Sequence, residues 1–127
     1  HNHSVQKTRG LHVDSMANSY KCFVYLTDVL RLEDGPYSYV PSSNGSPVSR
    51  MNYIYNKIFQ RGKRETEATF FADDQALPIL GHTGTAVISA QNGVHRGVPQ
   101  GPDGHRTVLV QRYEEAGRQM GQMDSMG

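Results

Sequence analysis

Apolar and polar residues alternate along much of this chain with the two-residue period of β-strands. The clearest case is YKCFVYLTDV at 20–29, which is rich in β-branched and aromatic residues and contains neither Gly nor Pro. Odd-numbered side chains from Lys21 to Thr27 are expected on one face of this strand, and even-numbered ones from Cys22 to Leu26 on the other. The same kind of pattern predicts four further strands, at 11–14, 37–40, 84–90 and 105–113.

One stretch changes to the period of a helix. Its apolar residues recur at helical spacing and are Val48, Met51, Ile54, Tyr55, Ile58 and Phe59. Ser46 can cap the start, Pro47 suits the first helical position and Gly62 can end the helix. The pattern predicts a helix over 47–61 that covers the sheet, within an insertion over 47–80 that includes a charged, exposed link at 62–67.

Short strands with one helical insertion favour an all-β fold, either a β-sandwich or a jelly roll, formed by a single domain over 1–127. Gly, Pro and Asn mark turns at 33–36, 41–47 and 91–93, and QGPDG at 100–104 is expected to be a hairpin-like connection. Residues 1–10 read as a polar lead-in, and the tail over 114–127 is expected to fray.

Composition narrows the classes of function. A hydrophobic content of 36% and a net charge of +1 in 127 residues argue against disorder and against nucleic-acid binding. No apolar run approaches 18 residues, so no membrane partner is expected. The lone Cys22 argues against an internal disulfide and against a Cys-rich zinc or iron–sulfur site. Together with the lack of a visible signal peptide, it favours a cytoplasmic location.

The stretch LHVDS at 11–15 carries the first candidate chemistry. His12 and Asp14 are two positions apart, so on a strand they share one face. An imidazole and a carboxylate are two of the three ligands of the 2-His-1-carboxylate metal site. The H-x-D/E pattern alone is weak, because this composition gives about 0.6 chance matches.

His95 is the strongest candidate for the third ligand, since it follows a strand and a tight turn in NGVHRG at 92–97. Arg106 lies eleven residues further on. Consecutive antiparallel strands are expected to bring His95 and Arg106 side by side, facing a cavity where the guanidinium can grip a carboxylate of a dicarboxylate co-substrate. His82 is the rival ligand and is interpreted as structural or as a support for a ligand.

Taken together, these stretches resemble the phytanoyl-CoA dioxygenase family of Fe(II)/2-oxoglutarate-dependent oxygenases. The resemblance extends over about residues 11–113 and is carried by LHVDS (11–15), YLTDV (25–29), DGPYSYVPSS (34–43), GTAVISAQNGVHRGVP (84–99) and Arg106. It implies a double-stranded β-helix (a cupin-like jelly roll) as the fold. It also implies that His12, Asp14 and His95 bind Fe(II) and that Arg106 anchors the distal carboxylate of 2-oxoglutarate.

The resemblance also implies a reaction. A dioxygenase of this kind uses O2 and 2-oxoglutarate to hydroxylate a small organic substrate and releases succinate and CO2. Halogenating relatives carry a small residue where this chain has Asp14, so hydroxylation is expected. The chain departs from the family at PSSNG (41–45), where a P-G-S-H-like string is usual, and N-terminal elements usual in the family are expected to be missing.

Further contacts are expected around this site. Lys21 and Tyr25 are predicted to contact 2-oxoglutarate, and Asn18 could face the same cavity. The substrate contacts predicted on the helix are Arg50, Tyr53 and Tyr55. Two alternatives stay open: a non-catalytic jelly-roll module that binds a metal or ligand, and a cupin-type metalloenzyme that needs no 2-oxoglutarate.

Overall fold

The computed structural model describes residues 10–60 and 66–115 of the chain. In chain order its strands and helix are β1 (His12–Val13), β2 (Ser19–Tyr25), β3 (Tyr37–Tyr39), α1 (Pro47–Phe59), β4 (Thr66–Glu67), β5 (Leu77–Ile79), β6 (Ala86–Ala90), β7 (His95–Gly97) and β8 (Val108–Glu114). The lead-in up to residue 9, the helix end expected at Gly62 and the tail from residue 116 lie outside the described residues.

Two antiparallel sheets contain these strands. The five-stranded sheet has the order β4-β1-β7-β3-β5, and the three-stranded sheet has the order β6-β2-β8. Phe23 of β2 stacks on Tyr37 of β3 with ring centroids 4.4 Å apart, and the Tyr37 hydroxyl lies 2.6 Å from Ser89 Oγ of β6. The two sheets therefore face each other, and the prediction of a mostly β fold with one helical insertion is confirmed.

Alternation along β1 sends neighbouring side chains to opposite faces of the five-stranded sheet. Leu11 and Val13, on either side of His12, are buried in the hydrophobic core on one face. The buried members of that core are Leu11, Val13, Val40, Ala68 and Val94. His12 points to the other face, toward the three-stranded sheet, so the same short strand supplies both the core and the candidate site.

The structure shortens the strand predicted over 20–29, which ends at Tyr25, and adds three strands to the five predicted ranges. β4 forms in the segment predicted to be a charged link, β5 forms in an apolar stretch for which no strand is predicted, and β7 carries the candidate ligand His95. All three are two or three residues long, so they lack the run of alternation that a sequence pattern requires.

The connection at 100–104 is not a hairpin. β7 belongs to the five-stranded sheet and β8 to the three-stranded sheet, so the chain crosses from one sheet to the other between them. The Gly101 N–H donates to the Glu33 carbonyl at 2.9 Å, and a Cβ added at Gly104 would overlap the same carbonyl. The crossing therefore packs tightly against the 3-10 turn Leu32–Asp34.

The start of α1 matches its sequence signals. Ser46 is the N-cap and its Oγ accepts a hydrogen bond from the Ser49 N–H at 3.1 Å, while Pro47 occupies the first helical position. The helix ends at Phe59. Among the described residues, the structure contains no helix whose length and apolar character would allow it to cross a membrane.

The buried face of α1 is polar, which corrects the expectation that its apolar residues cover the sheet. Ser49, Asn52 and Asn56 are the buried residues of the helix. The predicted apolar stripe is exposed to solvent, at Val48, Met51, Ile54, Tyr55, Ile58 and Phe59. Helical periodicity located the helix but not the face that it buries.

Side-chain amides explain why the polar face is the one that docks. Asn52 and Asn56 both donate from Nδ2 to the Glu67 carbonyl, at 2.9 and 2.8 Å. Asn52 Oδ1 accepts from the Phe70 N–H at 3.2 Å and from the Thr69 hydroxyl at 3.3 Å. These bonds satisfy backbone groups at and after the edge strand β4, which apolar side chains could not do.

Replacing Asn52 with Ala is expected to lower the free energy of unfolding by about 2–4 kcal/mol, since several buried polar groups lose a partner together. Urea unfolding followed by circular dichroism measures the change. The exposed Asn44, in the loop before α1, is the control, and its Ala variant should change stability by less than about 0.5 kcal/mol. An Asn52 variant as stable as this control would contradict the docking role.

Candidate metal centre

Two paired strands place the three predicted metal ligands next to one another. β1 and β7 are antiparallel neighbours, and His12 lies directly opposite His95. Their ring centroids are 4.6 Å apart with 63° between the planes. Asp14 follows His12 by two residues, and one ligand atom from each of the three lies within 4.8 Å of the others. This His–Asp–His triad could hold a metal ion.

Both imidazole rings are fixed in the same way. His12 Nδ1 lies 2.8 Å from the Gly10 carbonyl oxygen, and His95 Nδ1 lies 2.9 Å from the Gly93 carbonyl oxygen. A carbonyl can only accept, so each Nδ1 carries the proton and each neutral ring keeps a lone pair on Nε2. A backbone carbonyl on the second ring nitrogen is the usual support of a metal-ligating histidine.

The lone pairs converge on one carboxylate oxygen. Asp14 Oδ1 lies 3.4 Å from His12 Nε2 and 3.7 Å from His95 Nε2. With neutral rings, three acceptor atoms face one another, and only a proton or a metal ion between them satisfies all three. His12 and His95 are buried, and the Asp14 side chain is 15% exposed, so the three atoms meet in a largely enclosed place.

The spacing fits a small divalent ion. Metal–ligand distances of about 2.0–2.2 Å put neighbouring donors about 3–3.5 Å apart. The oxygen–nitrogen separation to His12 already falls in this range, and the separation to His95 needs only a slight closure. Two imidazoles and one carboxylate on one side of an ion leave further coordination positions open.

The carboxylate is held in its charged form. Burial alone would raise the pKa of Asp14, but the polar side chains of His12, His95 and Lys21 around the carboxylate outweigh it and hold that pKa well below its ordinary value. An ionised carboxylate is the form that binds a metal.

Lys21 reaches this carboxylate from the opposite sheet. It lies on β2, and its Nζ forms an ion pair with Asp14 Oδ2, the oxygen that does not face the imidazoles. The predicted residue is therefore at the site, where it pairs with a candidate metal ligand. Contact between Lys21 and 2-oxoglutarate stays a prediction.

Arg106 lies near the triad, although the strand pairing that the sequence predicts for it does not form. It lies in the connection before β8, outside any strand, and β7 and β8 are not paired. A Cβ added at Gly97 would lie 3.3 Å from its guanidinium. Since Gly97 is two residues after His95, that Cβ would point to the face that carries His95. The guanidinium thus lies above the histidine-bearing face of β7.

The Tyr25 phenol interacts with the Arg106 guanidinium and is itself held by backbone groups. Its side chain is fully buried, its hydroxyl donates to the Ile79 carbonyl at 2.7 Å, and it accepts from the Tyr37 N–H at 3.2 Å. Burial lowers the pKa of Arg106, and the interaction with the Tyr25 phenol partly opposes this. An arginine remains charged under such a shift, because its ordinary pKa is above 12. Direct contact of Tyr25 with 2-oxoglutarate stays a prediction.

Two tyrosines that the sequence analysis did not select form a wall of the site. Tyr39 lies directly opposite His95 on β3, and its ring is 6.4 Å from the imidazole. The Tyr37 ring lies 5.6 Å from the same imidazole. Burial raises the pKa of Tyr37, with hydrogen bonds to Ser89 and Gln91 opposing it, so this phenol is neutral at physiological pH. Their two-residue spacing in YSY puts both rings on one face of a strand. Only the pairing of β3 with β7 shows that this is the face of His95.

Glu67 is a third residue that the sequence did not indicate. It lies directly opposite His12 on β4, and directly opposed residues of an antiparallel pair point to the same face. An acidic side chain therefore stands next to the triad, in a segment predicted only to be a charged link.

The predicted substrate contacts lie on α1. Arg50 and Tyr55 are exposed and Tyr53 is half-buried. Tyr55 packs against Phe59 and Phe70, with centroids 4.8 and 5.3 Å apart. The helix docks on β4, the strand next to β1, so it stands at one side of the site. Their contact with substrate stays a prediction.

His82, the rival ligand, is exposed and has its partner outside the triad. The His82 side chain is 78% exposed, and its Nδ1 lies 3.6 Å from Asp28 Oδ1. It is absent from the ligand cluster found among the described residues. Asn18, the other candidate, is exposed in the turn between β1 and β2.

Comparison with known proteins adds no relative: no family model, no curated protein and no solved structure matches this chain.

Proposed function

We propose that this chain is an Fe(II)- and 2-oxoglutarate-dependent dioxygenase, similar to the phytanoyl-CoA dioxygenase family, that hydroxylates a small organic substrate. The two facing sheets would correspond to the double-stranded β-helix of such enzymes. The observation that carries the proposal is the convergence of two Nε2 atoms and one carboxylate oxygen on one point, with Arg106 above the same sheet face.

The donor set supports iron. Two histidines and one carboxylate that leave open positions on one side are the ligand set of non-haem Fe(II) oxygenases. A structural zinc site is normally closed by four protein ligands, often cysteines. The free thiol of Cys22 lies on β2, and it is not part of the ligand cluster found in the described chain.

The position of Arg106 supports a dicarboxylate co-substrate. The guanidinium approaches Gly97, two residues along β7 from His95, on the face of the sheet that carries the triad. A guanidinium binds a carboxylate with two parallel hydrogen bonds. One end of the co-substrate would then meet Arg106 while the other reaches the open side of the triad.

When bound, Fe(II) and 2-oxoglutarate supply the oxidation of a C–H bond by O2, with succinate and CO2 as co-products. The residues of the chain position these groups. His12, Asp14 and His95 hold the metal, and Arg106 orients the co-substrate. Phe23 and Tyr37, stacked between the sheets, keep water from this side of the site.

The test is the formation of succinate from 2-oxoglutarate by the purified chain with Fe(II) in air, with and without a panel of small organic substrates. Fe(II)-dependent succinate that is lost in a His95→Ala variant supports the proposal. Metal binding without succinate under any condition would indicate a binding module. Substrate oxidation that needs Fe(II) but not 2-oxoglutarate would indicate the cupin-type enzyme.

A further inference from the structure

The two oxygens of Asp14 have different partners. Oδ1 faces His12 Nε2 and His95 Nε2 at 3.4 and 3.7 Å. Oδ2 takes the ion pair from Lys21 Nζ. The same carboxylate is thus divided between a candidate metal position on one side and an ammonium group on the other.

Lys21 is held on a rigid element. It lies within β2, which pairs with β6 on one side and β8 on the other, opposite Ser89 and Arg112. Its side chain is 24% exposed and extends from the three-stranded sheet to a carboxylate of the five-stranded sheet. The amino group therefore comes from a fixed direction that differs from that of the imidazoles.

This arrangement constrains how Asp14 can bind a metal. The terminal torsion of an aspartate is broad and close to two-fold, so a carboxylate without a second partner can rotate or offer both oxygens to an ion. A hydrogen bond from Lys21 to Oδ2 keeps that oxygen turned away. Oδ1 alone then remains for the ion, and the coordination positions opposite the triad stay open.

We propose that Lys21 is a positioning residue that makes Asp14 a single-oxygen metal ligand, and this inference rests on the proposed metal site. A different role is physically possible for an ammonium group at this place. If Lys21 served only as a counter-charge, it would repel an incoming cation, and its removal would tighten metal binding. The positioning role predicts the opposite sign.

The experiment measures the affinity of the metal-free chain for Co²⁺, from the visible absorption of the bound ion. Lys21→Met keeps a similar length and removes the donor, and we expect binding about 10–100-fold weaker, which is the usual loss when a residue that orients a metal ligand is replaced. Lys21→Arg keeps a charged donor, and we expect it to recover most of the affinity. The absorption bands of the Met variant should also shift, because Lys21 no longer holds Oδ2 away from the ion.

Arg112→Met is the matched control. Arg112 lies directly opposite Lys21 on β8 and pairs with Glu114 at 2.6 Å. Its variant removes a neighbouring positive charge without touching Asp14, and Co²⁺ affinity should stay within about two-fold. A loss equal to that of the Lys21 variant would mean that contact with Asp14 is not what sets the affinity, and it would contradict the positioning role.

Tighter or unchanged Co²⁺ binding by a folded Lys21→Met variant would overturn the inference while leaving the metal site intact. If the unaltered chain binds no Co²⁺, the proposed function fails first and the inference with it. Near-ultraviolet circular dichroism checks the fold of each variant. If the Met variant does not fold, Lys21→Leu, which also removes the donor, takes its place: weaker binding with shifted bands supports positioning, and tighter binding contradicts it.

Discussion

Asp14→Ala is expected to abolish succinate formation and to weaken divalent-metal binding at least about 100-fold, a loss at the upper end of what replacing residues that merely support a ligand causes. Asp14 is the triad's only carboxylate, and its Oδ1 is the atom on which both imidazoles converge. The measurements are Co²⁺ titration and Fe(II)-dependent succinate release.

Two further variants make this prediction specific. Asp14→Asn keeps the size of the side chain and a neutral oxygen, so it separates loss of the charge from loss of packing. Asp28→Ala removes an exposed carboxylate that accepts from Thr83 outside the triad, and it should bind metal normally. Full activity of Asp14→Ala would show that Asp14 is not a metal ligand.

Arg106→Ala is expected to weaken 2-oxoglutarate binding by about 30-fold or more while Co²⁺ affinity stays unchanged. Removing one partner of a buried, hydrogen-bonded charge pair typically costs about 2–5 kcal/mol of binding free energy. The half-buried guanidinium beside Tyr25 has the surroundings for such a pair. Calorimetry with 2-oxoglutarate and the Co²⁺-loaded chain measures the loss.

Two neighbours supply graded tests of the same contact. Gly97→Ala places a Cβ 3.3 Å from the guanidinium, so Arg106 must shift by a few tenths of an ångström, and binding should weaken only several-fold. Arg112→Ala removes a cation from β8 that pairs with Glu114, and it should leave the affinity unchanged. An Arg106→Ala variant that binds 2-oxoglutarate normally would favour the cupin-type alternative.

Local patterns predicted the residues of the candidate site better than their arrangement. The two-residue spacing of His12 and Asp14 placed them on one face, as the structure has them. The pairing of His12 with His95 joins strands far apart in the sequence, and no local pattern encodes such a pairing. The two histidines do share one local sequence feature: each follows a glycine and one buried apolar residue, in Gly10-Leu11-His12 and Gly93-Val94-His95.

Two expectations were wrong for identifiable reasons. A Gly- and Pro-rich turn between two strands reads as a hairpin, but the segment at 100–104 crosses between sheets, because its backbone bonds to the turn at Glu33. Apolar periodicity in α1 predicted the wrong buried face, because two amide side chains satisfy the backbone of an edge strand. In both cases tertiary hydrogen bonds outweighed a local pattern.

An anaerobic titration of the chain with Fe(II) and then 2-oxoglutarate, followed by visible absorption, tests whether the triad and Arg106 form one site for the metal and the co-substrate. We expect a metal-to-ligand charge-transfer band that grows with 2-oxoglutarate. The band should be lost in His95→Ala and strongly weakened in Arg106→Ala. A folded chain that binds Fe(II) at the triad but shows no band with saturating 2-oxoglutarate would contradict the proposed function.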